Sequence, residues 1–285
     1  MSVKGNFVSA ANLVLWPIGI MIAKRERDFD WRLTSPRHIK KLHGALANSF
    51  QAWLDSQTVF QETQAFDVET EVAAFYDAYM QTPFRAPQGG SRFNNSLWLN
   101  LIVKAIQPTI VVDSGTYAGG SAWALARGAP NATVLSFDLD LSYLQIKLPN
   151  VDYRQSDWTS YEFKNSELSR GLCYFDDHVD QVQRLLQAQE RGFRYAIFDD
   201  DYPVTSFAHM ARNSQVLPKL EFALDLDLKD GEVIEWQAGS PCQWRVDGKY
   251  LQRARTAIEA TARLPNTSLI TGIHQTPYRV VRLAR

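Results

Sequence analysis

Cysteine is nearly absent from this chain. The two present, Cys173 and Cys242, have neither the paired spacing of a zinc site nor the density of a disulfide framework. Cys173 falls inside a short apolar run and reads as a small core residue, the usage of a reduced, cytoplasmic protein. A basic excess is missing too: 30 Lys and Arg against 31 Asp and Glu leave a formal net charge of −1. Little is left to neutralise a phosphate backbone, which argues against a nucleic-acid partner. No internal repeat is present. Long apolar runs are confined to Phe7–Ala23, interrupted by Pro17 and Gly19 and at the lower limit of length for a spanning helix. Lys4 is the only basic residue before it and no small-residue cleavage site stands out, so a signal peptide is not expected. The segment suits packing on the rest of the chain or on a second copy in a homo-oligomer. The other use open to residues 7–23 is peripheral contact with a membrane surface.

What is present is core-forming. Hydrophobic residues make up 45% of the 285 and aromatics 12%, enough for one large domain or a domain with an appendage. Residues 1–90 read as an N-terminal helical cap. Ser35-Pro36 opens a helix to Asp55 with Ile39, Leu42, Leu46, Phe50 and Leu54 at helical spacing, and a second helix covers Val68–Met80. Thr82–Ser91, rich in Pro and Gly, is a linker or lid. From 91 to 285, strands and helices alternate in an α/β, doubly wound pattern. After a helix over Ser96–Ile106, strands are expected at Ile110–Val112, Thr133–Phe137, Val151–Gln155, Leu172–Phe175 and Tyr195–Phe198. Val179–Arg191 is an amphipathic helix, and another helical region runs to about Ala223. Gly231–Trp236 reads as a strand, Gly239–Gly248 as a loop and Lys249–Arg263 as a helix. Ser268–Ile273 and Tyr278–Leu283 read as a closing hairpin.

The stretch around which the rest is organised is Thr109–Asp140. A β-branched strand ends in Asp113, a turn carries Gly115, Tyr117, Gly119 and Gly120, an Ala-rich helix starts at Ser121, and a second strand ends at Asp138. Glycines allow positive φ and close backbone approach, and a helix N-terminus offers free N–H groups. An acid after the second strand can accept both hydroxyls of a ribose. The spacing Asp113-x-Gly115-x-x-x-Gly119 departs from the dinucleotide fingerprint G-x-G-x-x-G. It resembles the first motif of class I S-adenosylmethionine (SAM)-dependent methyltransferases, (D/E)-x-G-x-x-x-G.

That resemblance, over roughly residues 91–285, implies a Rossmann-like, seven-stranded, mostly parallel sheet with an antiparallel last strand; the helical cap lies outside it. It also implies that the loop Asp113, Gly115, Tyr117, Gly119 and Ser121 holds the methionine end of SAM. Asp138 would hold the ribose, with Asp140 as alternative, and Asp157 and Trp158 the adenine. Further acids end the fourth and fifth strands: Asp176-Asp177-His178 and Asp199-Asp200-Asp201. Gathered on one rim they would repel each other strongly unless something offsets them. This pattern resembles the metal-dependent O-methyltransferases of natural-product sugars and the related cephalosporin-hydroxylase-type proteins. The resemblance implies Mg²⁺ held by Asp176 or Asp177 with Asp199 and Asp200, with His178 as base beside Asp177. The histidine here directly follows the acid, whereas in that family it lies a few residues further on. The expected function is SAM-dependent O-methylation of a small hydroxylated molecule, a sugar or natural product, with Trp236 and Trp244 available to pack on it. The competing reading is a non-catalytic ligand-binding or scaffold protein on the same fold.

Overall fold

The computed structural model describes residues 35–85, 90–164, 168–203, 217–238 and 240–285. The apolar stretch 7–23, the tip of the 82–91 linker and most of the region expected to be helical before Ala223 lie outside them. Short β-branched and aromatic runs form β1 (Ile110–Ser114), β2 (Thr133–Asp138), β3 (Val151–Gln155), β4 (Leu172–Phe175) and β5 (Tyr195–Phe198). With β8 (Ile258–Arg263) and β9 (Arg279–Leu283) they make one seven-stranded sheet, ordered β3-β2-β1-β4-β5-β9-β8. The first five are parallel, and β9 runs antiparallel to both β5 and β8. The α/β class, the mostly parallel sheet and the antiparallel terminal strand are as expected.

β1, β4 and β5 are buried throughout, as suits strands covered on both faces. Alternate residues therefore enter two different cores. Val111, Leu172, Tyr174 and Ile197 face a layer built from α1 (Pro36–Ser56), α2 (Val68–Tyr79), α3 (Phe93–Ile106) and α4 (Gly120–Gly128). Val112, Cys173, Phe175 and Phe198 face α5 (Gln181–Arg191), α6 (Leu220–Leu224) and, after the hairpin below, α7 (Gly248–Ala257). Cys173 is thus a core residue. α3 is buried on every position except Lys104, the pattern of a central helix, and the two helices ahead of it share its core. Ser35 stands at the N-cap of α1 with Pro36 next, but it caps through its carbonyl, which accepts from His38 and Ile39, and not through its hydroxyl.

The C-terminal third differs from the sequence reading in three places. The helix expected to reach Arg263 stops at Ala257, the last of the buried stripe Leu251, Ala254, Ala257. From β-branched Ile258 onward the chain pairs with β9 as β8, a partner that helical spacing cannot reveal. Ser268–Thr271, expected as a strand, is a single helical turn, α8, ended by Gly272 in the left-handed region. Gly239–Gly248 is mostly strand: β6 (Val233–Ala238) and β7 (Ser240–Arg245) pair as a separate two-stranded sheet. Its Trp236 and Trp244 pack against a small core of Leu217 and Phe222, with Trp244 edge-on to Phe222 at 5.6 Å. Among the described residues no helix is long and apolar enough to cross a membrane.

Candidate cofactor and acid site

β1 lies between β2 and β4, and the chain order reverses there, so a crevice opens at the carboxyl ends of β1 and β4. Gly115 has φ +107, and a Cβ on it would stand 2.6 Å from the Asp176 carbonyl oxygen. This glycine is required by the abutment of the β1 turn on the end of β4, where Asp176 N–H also donates to the Ser114 carbonyl at 2.8 Å. Gly119, at φ +90, is the N-cap of α4. Tyr117, also at positive φ, donates its N–H to Asp138 Oδ2 at 2.8 Å, and Asp140 N–H donates to Oδ1 at 3.1 Å. Asp138 therefore ties the tip of the turn to the end of β2.

Around that tie lies a cavity of about 460 Å³, lined among others by Tyr117, Asp138, Asp157, Asp177, His178 and Arg184. A smaller recess opens beside it between Ser91, Thr116, Ser121, Gln145 and Asp176. Gly115, Tyr117 and Asp176 belong to both, so the two form one continuous crevice of a size suited to a cofactor. The expected cofactor residues Gly115, Tyr117, Ser121, Asp138 and Asp157 all lie on its walls, and Gly119 shapes its turn.

Two do not. Trp158 is fully buried, with Phe175 5.5 Å and Phe193 6.0 Å from its ring and the Arg191 guanidinium over it at 4.9 Å. It belongs to the core below the crevice, because the turn after β3 directs it inward while Asp157 points out. Asp113 is fully buried as well: Ser136 donates to its Oδ2 at 2.6 Å, and Oδ1 lacks a hydrogen-bond partner. Burial pushes its carboxyl up to about 7 against the pull of Ser136, from an ordinary value of 3.8. The folded chain thus holds a proton between those values that the unfolded chain releases, so this group's contribution to stability is lost as pH rises from about 4 to about 7. Asp113→Asn is expected to flatten that decline by up to about 1.4 kcal/mol per pH unit, measured by denaturant unfolding across the range. An unchanged slope would refute it.

Arg184, buried on α5, was not expected in the site. Its Nη2 and Nη1 donate to Asp157 Oδ2 (2.5 Å) and Oδ1 (3.3 Å), and its Nε donates to Asp177 Oδ2 at 2.8 Å. Asp157 also caps the turn after β3 through Thr159. Burial would raise its carboxyl, but Arg184 and Thr159 outweigh it and hold the group at about 2. Asp177 accepts a second bond from Ser114 Oγ at 2.7 Å. The signal in sequence was an arginine inside the buried stripe Gln181, Arg184, Leu185, Ala188.

The acids divide by what already holds them. Asp199 accepts from Thr276 Oγ1, from Asp200 N–H at 2.6 Å and from Tyr174 OH at 3.3 Å; burial and the Asp200 charge push it up to about 8. Asp201 is ion-paired with Arg279 and caps α6 at Glu221 N–H. Burial, then the charges of Asp199 and Asp200, drive Asp176 well above the usual carboxylate range. Among the described residues the group that converges is Asp176, His178 and Asp200, with one donor atom from each within 4.8 Å of the others. His178 Nδ1 is 4.0 Å from Asp200 Oδ2, and both residues have positive φ. Asp177 and Asp199, expected in the metal set, are instead turned into the Arg184 and Thr276 networks. The adjacency of each pair in sequence hides which member a neighbouring element will claim.

The strand order is that of a Rossmann-like, doubly wound sheet. No model of a known family matches the chain, and no curated protein does. Among solved structures, CmcI (N160 form with SAH) aligns at 19% identity over 41% of this chain and 64% of its own, just under two thirds, with a TM-score of 0.36. The O-methyltransferase TomG from Streptomyces achromogenes, involved in tomaymycin synthesis and solved with SAM, is 12% identical over 83% of this chain and 96% of its own (TM-score 0.43). An O-methyltransferase from Bacillus cereus with SAH is 11% identical over 84% and 99% (TM-score 0.40). The fold is read from the strand order alone.

Proposed function

We propose that this chain is a SAM-dependent methyltransferase acting on a hydroxyl of a small molecule, a sugar or natural product. The observation that carries the reading is Asp138. It ends β2 on the wall of a 460 Å³ crevice, beside the turn it braces, and Asp176 and His178 line the same crevice. SAM, when bound, supplies a methyl group on a sulfonium. Asp138 would accept the ribose hydroxyls, and the turn Gly115–Gly119 with Ser121 would hold the methionine end. Asp157 keeps capacity on Oδ2 for an adenine amino group, since among the described residues only Arg184 donates to that oxygen. Methyl transfer is an in-line displacement, so holding the acceptor oxygen on that line supplies much of the rate.

The carboxylates suit a hard cation, and their donor atoms are close enough to share one. We assign Mg²⁺ to Asp176 and Asp200; bound there, it would lower the pKa of an acceptor hydroxyl. His178, its side chain 53% exposed, lies on the crevice wall and would take the acceptor's proton. Calorimetric titration with SAH, the demethylated product of SAM, tests the cofactor half: one-to-one binding is expected, and its absence would leave the non-catalytic reading. For the metal half, Asp200→Asn should keep SAH affinity within about threefold yet lose the thermal shift that Mg²⁺ gives the wild type. A variant that still responds fully to Mg²⁺ rules the assignment out.

A further inference from the structure

A lysine is buried beside the acid cluster. Lys219, 1% exposed, precedes α6 and lines a narrow recess together with Asp176, His178, Asp199 and Asp200. Its backbone is held from both sides. Pro218 carbonyl accepts from Gln181 N–H at 3.2 Å, Gln181 Oε1 accepts from Leu220 N–H at 2.9 Å, and Asp201 Oδ1 accepts from Glu221 N–H at 2.8 Å. With its side chain buried and lining the recess, Lys219 is not a swinging surface group.

Burial lowers the pKa of this ammonium, and the opposing influences come from Asp200, Asp201, Asp199 and Asp176. A buried ammonium is costly unless opposite charges and hydrogen bonds surround it. Asp201 is ion-paired with Arg279, and Asp199 is held by Thr276 and Tyr174. Asp176 and Asp200 are the carboxylates that converge with His178, and both line the recess with Lys219.

We propose that Lys219 is a tethered counter-ion of the Asp176–Asp200 cluster, which it steadies without metal and for which it competes with a divalent cation. The inference rests on the cluster being a cation site, as read above. One compact charge on a lysine partly offsets the mutual repulsion of the acids. A divalent ion seated on the same carboxylates would face that charge across a recess with little room for water, where repulsion is weakly screened. The chain would then hold Mg²⁺ loosely and remain folded without it.

The test is Lys219→Met, which keeps most of the side chain's length and removes its charge, with Lys219→Gln alongside. Thermal melting in EDTA, calorimetric titration with Mg²⁺ and titration with SAH are run on the same samples. Both variants should melt several degrees lower than wild type in EDTA and bind Mg²⁺ about tenfold tighter or more, so that saturating Mg²⁺ restores much of the melting point. Mg²⁺ affinity within about twofold of wild type, weaker binding, or no binding by any of the three proteins would overturn the proposal. If neither variant folds in EDTA, the same competition predicts recovery on refolding in millimolar Mg²⁺, and failure to recover counts against it. Absence of SAH binding by the wild type would instead count against the methyltransferase reading, while the Mg²⁺ comparison still decides the role of Lys219.

Discussion

Asp138→Ala is expected to weaken SAH binding by at least about 100-fold in calorimetric titration. Two charge-assisted hydrogen bonds to a ribose, at roughly 1.5–3 kcal/mol each, set that scale. The substitution also removes the acceptor of Tyr117 N–H, so the turn over the crevice loses its tie to β2. Asp138→Asn separates the two effects. Its amide oxygen can still accept from Tyr117 N–H, but the charge is gone, so the turn should stay in place while affinity falls by an intermediate amount. The local fold survives in either case, because the turn is also anchored by Gly115 and Thr116 N–H groups on the Phe137 carbonyl at 2.9 and 3.2 Å. Unchanged affinity in the alanine variant would remove the cofactor from this end of the crevice.

Arg184→Leu is expected to lower stability by about 3 kcal/mol and the melting temperature by roughly 8 °C, since breaking a buried pair strands the remaining charge. The leucine leaves Asp177, whose side chain is 14% exposed, without its guanidinium partner. Asp157 is 38% exposed and suffers less, because water screens it. The same change frees two carboxylates on the crevice wall, so SAH affinity should fall as well, by about tenfold. Arg184→Lys keeps the charge but cannot span Asp157 and Asp177 with one planar fork, so it should lie between wild type and leucine. A leucine variant as stable as wild type would show that the buried bridge contributes little.

Local signals in the sequence carried the centre of the fold. The runs at Ile110, Val134, Leu172 and Tyr195 became parallel strands because a strand covered on both faces must be apolar throughout, which a linear reading detects. Asp138 was legible because the end of a strand in such a sheet has a fixed place on the crevice. The C-terminal third was legible in part: the strands at Gly231–Trp236 and Tyr278–Leu283 were read, but β8 is a strand only because β9 lies beside it, and β7 only because it pairs with β6 in a sheet of their own.

The chain by itself determined which residues stand at the strand ends: Asp113, Asp138, Asp157, the pair at 176–177 and the triplet at 199–201. Only the tertiary structure decided what each one does. Arg184 arrives from α5 to claim Asp157 and Asp177, Arg279 from β9 to claim Asp201, and Thr276 to claim Asp199, while Asp176 and Asp200 converge with His178. The physical reason is that a carboxylate's role depends on the charge and donors around it. Those partners come from segments distant in sequence, which no local pattern of residues can specify.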